Sequence, residues 1–364
     1  MPPVDSLAQL RRLAAAAEEH ARREHRLGLS PDAVAQVDRL LRTEGGQADA
    51  VRREMLSACY GAWLGWFALQ RWDACWVGLA EPSAPRIQVA GLLFSPMDAV
   101  RRRLEDPKAP ALPDVLRDID AWSREQAAAR GRAPTRNREA WDKLADDPRF
   151  AGGELPRDPD ALDEWLRDEA LPGKALLCLA AGGGRQGPLH AAAGAVVTVV
   201  DVSDRQLDHD RKAGLKTLRA SMDNLGGLAD ASFDIVVQPV SSCYVADLDR
   251  VHAEIARVLK PGGLYIVQHK QPAALQASGE GPYGVAFPCA EGSALPEQAA
   301  AHREPGTTEF VHTLDALIGG LCRAGFVIEA FSEPPRADAS APAGTAGHRA
   351  WYLPPYLKIK ARRV

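Results

Sequence analysis

A glycine triplet and one aspartate carry the clearest chemical signal in the sequence. The triplet at residues 182–184 follows the apolar run 175–179, and Asp201 follows a second apolar run at 195–200. Glycine allows the backbone to turn with positive φ and lets a ligand approach without meeting a Cβ atom. A carboxylate at the tip of the second strand can accept hydrogen bonds from both ribose hydroxyls of a nucleoside. The stretch therefore predicts a nucleoside-binding strand, turn, helix and strand.

The glycine pattern alone also fits a dinucleotide site. Gly182, Gly184 and Gly187 match the G-x-G-x-x-G fingerprint, which by itself is a weak signal. Pro188 opposes that interpretation because it disfavours helical geometry at Gly187, and no second catalytic domain follows the predicted sheet. A nicotinamide-dependent oxidoreductase stays open as the weaker hypothesis.

Alternating strands and helices must position these residues. Strands are predicted at residues 175–179, 195–200, 216–219, 233–238, 264–269, 326–331 and 351–361. The alternation predicts an α/β fold with a doubly wound sheet of seven strands, in which the last two form an antiparallel hairpin. The ligand is then expected at the carboxyl ends of the first, second and fourth strands. A long loop at 271–308 precedes the hairpin.

The first third of the chain differs in composition and predicts a separate α+β domain over residues 1–125. Four tryptophans, Trp63, Trp66, Trp72 and Trp76, fall in a short stretch. Their spacing favours a buried core over a partner surface. Helices are predicted at residues 115–129 and 137–145, with the basic stretch 130–138 as a charged linker. The second domain is predicted over residues 126–364.

Composition excludes several classes of protein. The 364 residues carry a formal charge of −4, which supplies no broad basic surface, so no nucleic-acid partner is expected. The six cysteines form no C-x-x-C pair and no cluster with histidine, so neither a metal site nor a disulfide framework is expected. No secretory leader and no membrane-spanning run is visible. These features predict a cytoplasmic protein with no membrane partner.

Five motifs in order identify the second domain more closely. The strings LCLAAGGGRQGPL, VTVVDVSDRQL, SMDNL, ADASFDIVVQPVSSCYVADL and ARVLKPGGLYIV follow one another along the chain. Together they resemble the class I S-adenosylmethionine-dependent methyltransferases over about residues 137–364. The opening NREAWDKLA and the late FVHTLDALIGG are similar to a bacterial subgroup that acts on small molecules. The resemblance implies a Rossmann-like fold, S-adenosyl-L-methionine as cofactor and S-adenosyl-L-homocysteine as product.

The resemblance also implies a set of cofactor contacts. These are Asn137, Trp141, Ala180, Ala181, Gly182, Gly183, Gly184, Asp201, Val202, Gln206, Ser221, Met222, Pro239, Val240 and Ser241. The glycine turn would pass under the methionine moiety and the ribose. Asp201 would hold the ribose hydroxyls, and Val202 would pack on the adenine.

Three positions depart from the family pattern. Cys178 stands where most members have an acidic residue, and Ala180 replaces the first glycine. The amino group of the methionine moiety therefore needs another partner. Gln238 stands where the subgroup usually has histidine.

Catalytic candidates follow from the chemistry of methyl transfer. A base is needed only when the acceptor must lose a proton, and histidine is the usual choice near neutral pH. His269 and His312 lie near the predicted mouth of the sheet, with His190 as a weaker candidate. Tyr244 could orient a substrate or shield the sulfonium by cation–π contact.

The sequence thus predicts an enzyme that methylates a small molecule by in-line displacement, with the acceptor atom (O, N, S or C) undetermined. The N-terminal domain is expected to shape the substrate side or to form a homodimer. A catalytically silent S-adenosylmethionine-binding module, whose tryptophan-rich domain recognises a partner, is the alternative from another class.

Overall fold

The computed structural model describes residues 7–30, 33–79, 85–150, 162–296 and 303–364. The chain divides into two compact units, Met1–Ala128 and Ala129–Val364. Among the described residues, none of the helices has the length and apolar character needed to cross a membrane.

The first unit combines helices with a small antiparallel sheet. Its elements are α1 (Leu7–His25), α2 (Val34–Gly45), α3 (Ala50–Arg71), β1 (Ala74–Val77), β2 (Arg86–Val89), β3 (Leu92–Phe94) and α4 (Pro96–Glu105). Trp63 is buried in the core of this unit, and Trp66, Trp72 and Trp76 pack against that core. The predicted α+β architecture and the tryptophan-rich core are confirmed.

One continuous helix, α5 (Leu112–Leu144), replaces the predicted helix, linker and helix. Pro134 lies inside it, where proline removes a backbone hydrogen bond and costs about 3 kcal/mol. The alanines and arginines on both sides of Pro134 are strong helix formers, so the helix continues through the basic stretch 130–138. The prediction of a charged linker was therefore wrong.

The second unit contains the large sheet. Its elements are α6 (Glu164–Arg167), β4 (Ala175–Leu179), α7 (Gln186–Ala192), β5 (Val196–Asp201), α8 (Asp204–Lys212), β6 (Lys216–Arg219), β7 (Phe233–Gln238), α9 (Leu248–Val258), β8 (Leu259–Lys270), α10 (Pro272–Gln276), β9 (Ala277–Ser278), β10 (Gly284–Val285), β11 (Ser293–Ala294), β12 (Phe310–Val311), α11 (Gly320–Arg323), β13 (Phe326–Ser332), α12 (Ala346–Tyr352) and β14 (Tyr356–Arg363). A 3₁₀ turn at Ser242–Tyr244 follows β7.

The sheet has seven strands in the order β13-β14-β8-β7-β4-β5-β6. The five strands from β8 to β6 are parallel to one another. Strand β14 pairs antiparallel with both β8 and β13. This confirms the predicted Rossmann-like sheet and its C-terminal antiparallel hairpin. It also brings the carboxyl ends of β4, β5 and β7 to one edge.

Two predicted segments differ locally. The last strand was expected from residue 351, but α12 includes Trp351 and Tyr352, and β14 begins only at Tyr356. Pro354 and Pro355 separate the two elements, because proline cannot continue the helix. The described part of the predicted loop 271–308 contains α10 and the short strands β9, β10 and β11.

Candidate active site

The glycine turn, residues 180–184, is a tight bend between β4 and α7. Ala180, Gly183 and Gly184 all have positive φ, at 48°, 109° and 72°. A Cβ atom on Gly183 would lie 2.4 Å from the backbone oxygen of Phe150, so the space there admits only glycine. Ala180 adopts a left-handed conformation that costs a non-glycine residue about 1–2 kcal/mol.

The amides of the glycine turn are held by the protein itself. Gly182 N donates to Asp201 Oδ2 at 3.0 Å, and Gly183 N donates to the backbone oxygen of Gln206 at 3.0 Å. Gly184 N donates to Asp210 Oδ2 at 3.2 Å. The turn therefore offers a ligand its open surface and not these three amide hydrogens.

Asp201, at the end of β5, is one of the acidic residues on the cavity wall. It is half-buried, and its Oδ1 also accepts a hydrogen bond from Ser203 N at 2.9 Å. Burial raises the pKa of Asp201 to about 6, and the backbone amides oppose that rise. A carboxylate offers about four lone-pair positions, so Asp201 can accept from a hydroxyl group beside the backbone amides of Gly182, Val202 and Ser203.

Gln206, on α8, lines the cavity and carries a buried acceptor atom. Its Nε2 donates to the backbone oxygen of Trp141 at 3.3 Å. Its Oε1 is buried and has no hydrogen-bond partner. A buried polar atom without a partner is costly unless a ligand or water satisfies it. The oxygen fits an ammonium or hydroxyl group, which is the partner that Cys178 does not provide.

A cavity of about 570 Å³ opens beside these residues at the carboxyl ends of β4, β5, β7 and β8. Most of the predicted cofactor contacts line it. They are Asn137, Trp141, Ala180, Ala181, Gly182, Asp201, Val202, Gln206, Ser221, Met222, Pro239, Val240 and Ser241. Tyr244 lines it as well, whereas Gly183 and Gly184 lie behind the wall, covered by Phe150 and His209.

Three aromatic rings form one wall of the cavity. Trp141 meets Phe150 edge to face, with ring centroids 5.2 Å apart, and meets Tyr244 in the same way at 5.6 Å. All three residues line the cavity. Their π faces can attract a cation held close to them.

Asn137, on α5, fixes part of this wall. Its Nδ2 donates to the backbone oxygens of Tyr244 at 3.1 Å and of Thr308 at 3.0 Å. Its Oδ1 accepts from Thr308 N at 2.6 Å. The amide group is therefore occupied by the backbone, and Asn137 positions its neighbours more than it offers polar atoms to a ligand.

Gln238, at the end of β7, organises the segment that follows it. Tyr265 Oη donates to its Oε1 at 2.6 Å. Its Nε2 donates to Ser241 Oγ at 2.9 Å and contacts Met222 Sδ at 3.4 Å. With both ends of its amide engaged, Gln238 holds Ser241 and Met222 at the cavity wall.

The two predicted catalytic histidines do not line the cavity, which corrects their assignment. His269 is fully buried, and its Nδ1 lies 2.6 Å from Ser242 Oγ. Burial lowers its pKa well below the ordinary value, so the ring is neutral. His312 Nε2 donates to the backbone oxygens of Ser242 and Val245, and its Nδ1 lies 2.6 Å from Glu291 Oε1. Both histidines hold the 3₁₀ turn that carries Tyr244.

Cys178 and His190 form a separate buried pair. Cys178 Sγ lies 3.3 Å from His190 Nδ1. Burial raises the pKa of the Cys178 thiol and lowers the pKa of His190 to about 4. The pair is therefore uncharged, and neither side chain lines the cavity.

Sequence reasoning missed two of the groups near the predicted Tyr244. Its hydroxyl donates to Glu304 Oε2 at 2.6 Å, and Lys270 Nζ donates to the same oxygen at 2.9 Å. Glu304 lies in the loop before β12, and the sequence of this loop has no hydrophobic periodicity from which its position could be predicted. The only available signal was Lys270, a charged residue directly after an apolar strand.

One group of metal-ligating side chains meets in the first unit, although none was expected. Atoms of His20, His25 and Glu44 lie within 4.8 Å of one another. The carboxylate of Glu44 already bonds with His25 at 3.0 Å and with Arg52 at 2.9 Å. Glu44 is thus already engaged by protein side chains, and His20 Nδ1 lies 2.9 Å from Tyr60 Oη.

Comparison with known proteins agrees with this geometry. Residues 177–267 match a family model described as a methyltransferase domain. The uncharacterized methyltransferase YbaJ of Bacillus subtilis (strain 168) is 36% identical over 188 residues, which covers 48% of this chain and 73% of that protein. The 24-methylenesterol C-methyltransferase 2 of Oryza sativa subsp. japonica is 36% identical over 108 residues, which covers 27% of this chain and 29% of that protein. The solved structure of an S-adenosylmethionine dependent methyltransferase from Mesorhizobium loti matches with a TM-score of 0.46 and 25% identity, and the match covers 57% of this chain and 100% of that one.

Proposed function

The chain belongs to the class I S-adenosylmethionine-dependent methyltransferases, and we propose that its acceptor is a small molecule bound in the cavity beside the glycine turn. S-Adenosylmethionine, when bound, supplies a methyl group on a positively charged sulfur. Family membership sets aside the nicotinamide-dependent oxidoreductase, and it favours an enzyme over a silent binding module.

The residues on the cavity wall fit the polar groups of this cofactor. Asp201 is assigned to the ribose hydroxyls, which its carboxylate oxygens can accept beside the backbone amides that already bind it. The unpaired Oε1 of Gln206 is placed to accept from the amino group of the methionine moiety. Val202, Ser221 and Met222 line the same cavity and are assigned to the adenine.

The aromatic wall is assigned to the reacting centre. Trp141, Phe150 and Tyr244 would attract the sulfonium and keep water away from it. Because methyl transfer is an in-line displacement, holding the two reactants in alignment supplies much of the rate acceleration. Pro239, Val240 and Ser241 complete the wall that faces the acceptor.

A small acceptor is supported by the dimensions of the site. The cavity of about 570 Å³ lies within the usual range for small-molecule sites, about 300–1,000 Å³. The relative from Oryza sativa is named for a sterol acceptor, which is also a small molecule. A division into an accessory domain, residues 1–125, and a catalytic domain, residues 126–364, stays a prediction, as does homodimer formation through the accessory domain.

The single observation that carries the cofactor assignment is the half-buried Asp201 at the carboxyl end of β5, on the cavity wall. Asp201→Asn keeps the shape of the side chain but removes its charge. Charge-assisted hydrogen bonds contribute about 1.5–3 kcal/mol, so we expect S-adenosylhomocysteine to bind about 10- to 100-fold more weakly. Isothermal titration calorimetry measures this change directly.

Asp204→Asn is the matched control. Asp204 lies three residues further on, and its exposed carboxylate pairs with Arg211 and Arg219. It does not line the cavity, so its variant should bind like the wild-type protein. Equal affinity in both variants would remove Asp201 from the site. Labelled S-adenosylmethionine with fractionated metabolite extracts then identifies the acceptor.

A further inference from the structure

Four side chains behind one wall of the cavity form a connected group, which we call the carboxylate cluster: Tyr244, Lys270, Glu304 and Glu309. Lys270 Nζ donates to Glu304 Oε2 at 2.9 Å and to Glu309 Oε1 at 2.8 Å. Tyr244 Oη donates to Glu304 Oε2 at 2.6 Å. Tyr244 and Glu304 line the cavity, whereas the side chain of Glu309 is 0% exposed.

The charges of the cluster do not balance when both carboxylates are ionised. One lysine then faces two carboxylates in a buried place, and an uncompensated buried charge is strongly unfavourable. Glu309 Oε2 is buried and has no donor within reach, while the carboxyl group of Glu304 is close enough for a hydrogen bond if one of the two carries a proton. A proton shared between Glu309 Oε2 and the carboxyl group of Glu304 would satisfy this oxygen and balance the charges.

The electrostatics of the two glutamates support a shared proton. Burial raises the pKa of Glu309 to about 7, with Glu304 adding to the rise and Lys270 opposing it. Burial also acts to raise the pKa of Glu304, but Lys270 and the hydrogen bond from Tyr244 hold it below its ordinary value. Two interacting carboxyl groups of this kind titrate as one pair.

The other groups that face the pair keep a fixed charge near neutral pH. Burial raises the pKa of Cys243 and of Tyr244 well above their ordinary values, so both stay protonated. Burial acts to lower the pKa of Lys270, but the neighbouring anionic groups raise it above its ordinary value, so it stays charged. Arg149, which also lines the cavity, interacts with Glu304 and stays charged. Of these groups, only the Glu304–Glu309 pair therefore changes charge in this range.

We propose that Glu304 is the base that receives the proton of the acceptor, and that Glu309 shares this proton while Lys270 holds both carboxylates in place. The inference rests on the proposed function. When the acceptor atom gains the methyl group, the electron pair of its bond to hydrogen stays on that atom, and the proton passes to Glu304. The methyl group brings one positive charge to the acceptor, and the proton carries one away to the pair.

The acceptor class follows from this balance. A hydroxyl group or an amine that carries hydrogen loses a proton on methylation and needs such a base. A thioether or a tertiary amine has no proton to lose, so the carboxylate cluster would have no proton to accept. The proposal therefore points to acceptors that lose a proton on methylation, hydroxyl groups and amines that carry hydrogen among them, and away from thioethers and tertiary amines.

The proton on the pair can be tested without knowing the acceptor. S-Adenosylmethionine and S-adenosylhomocysteine differ by one methyl group and one positive charge, and a positive charge in the cavity favours loss of the shared proton. Because Glu309 titrates at about 7, we expect S-adenosylmethionine binding at neutral pH to release up to about half a proton more than S-adenosylhomocysteine binding. Calorimetry in two buffers of different ionisation enthalpy measures this release.

Glu309→Gln keeps the size of the side chain and cannot share a proton between two carboxyl groups. It should abolish the difference in proton release, with S-adenosylmethionine affinity within about threefold of wild type. Glu333→Gln, at an exposed position of the second unit, should leave the difference intact. Equal release by the two ligands in the wild-type protein from about pH 6 to about pH 8, or a difference that survives in Glu309→Gln, would overturn the proposal. Failure of both ligands to bind would instead refute the proposed function.

Activity gives the second readout. A positioned base contributes about 10²- to 10⁴-fold, so Glu304→Gln should lower kcat by that factor with a hydroxyl or amine acceptor while binding S-adenosylhomocysteine normally. The remaining activity of this variant should rise when the pH is raised. Transfer by the wild-type protein to thioethers or tertiary amines alone would overturn the proposal.

Discussion

Removing the side-chain amide of Asn137 should loosen the segment that follows the 3₁₀ turn and the segment that enters β12. Asn137 is 4% exposed, and its amide makes three hydrogen bonds to the backbone of Tyr244 and Thr308. Asn137→Ala leaves these two carbonyl oxygens and one amide without partners. Two of the three bonds involve Thr308, so at about 1 kcal/mol net for each hydrogen bond, local opening at Thr308 should become easier by about 2 kcal/mol. This corresponds to about 30-fold faster exchange of its amide hydrogen.

Hydrogen exchange followed by mass spectrometry measures this effect in the peptide that contains Thr308. A local readout is preferable here because the lost hydrogen bonds hold one segment of the second unit. Asn224→Ala is the control, since Asn224 is exposed and its side chain bonds only Gly226 N at 3.4 Å. Protection at Thr308 within about threefold of wild type in Asn137→Ala would refute the role assigned to this residue.

Two further predictions concern the glycine turn. Burial raises the pKa of Asp210 to about 6 from 3.8, so the contribution of this group to stability is complete below the unfolded pKa and is lost as the pH rises through about 6. In urea unfolding, the free energy of unfolding of Asp210→Asn relative to wild type should therefore increase by about 2 kcal/mol between about pH 4.5 and pH 7. A difference that does not depend on pH would contradict this. Gly183→Ala and Gly214→Ala both place alanine at positive φ, but only at Gly183 does the new Cβ meet backbone, at 2.4 Å. Gly183→Ala should therefore be the more destabilising by about 1–3 kcal/mol, and equal urea midpoints would show that the turn relaxes freely.

The parts of the molecule that were predictable from sequence carry local signals. The runs 175–179, 195–200 and 233–238 are apolar and short, which specifies buried strands. The glycine turn and Asp201 follow them at fixed spacing, so the place of Gly182 and Asp201 at the edge of the sheet was predictable before the fold was known. Family resemblance added the positions at the ends of the later strands, most of which line the cavity.

The parts that were missed depend on contacts between distant residues. His269 and His312 were chosen for residue type and for their place near strand ends, but neither property says whether a ring faces the cavity or packs against the 3₁₀ turn. Lys270, Glu304 and Glu309 meet through a loop with no periodicity. The basic stretch 130–138 was predicted as a charged linker, because a run of charges does not reveal that the helix formers on both sides continue α5 through it.

The way in which the glycine turn is held also bears on the rate of the catalytic cycle. Its three amides are bonded to Asp201, Asp210 and the backbone of Gln206 by the chain alone. The turn is thus already ordered when a cofactor molecule arrives, and association need not wait for a loop to find its shape. When the spent cofactor leaves, the same bonds keep the bend in place. Successive turnovers therefore start from one surface, and exchange of product for fresh cofactor proceeds without refolding of this segment.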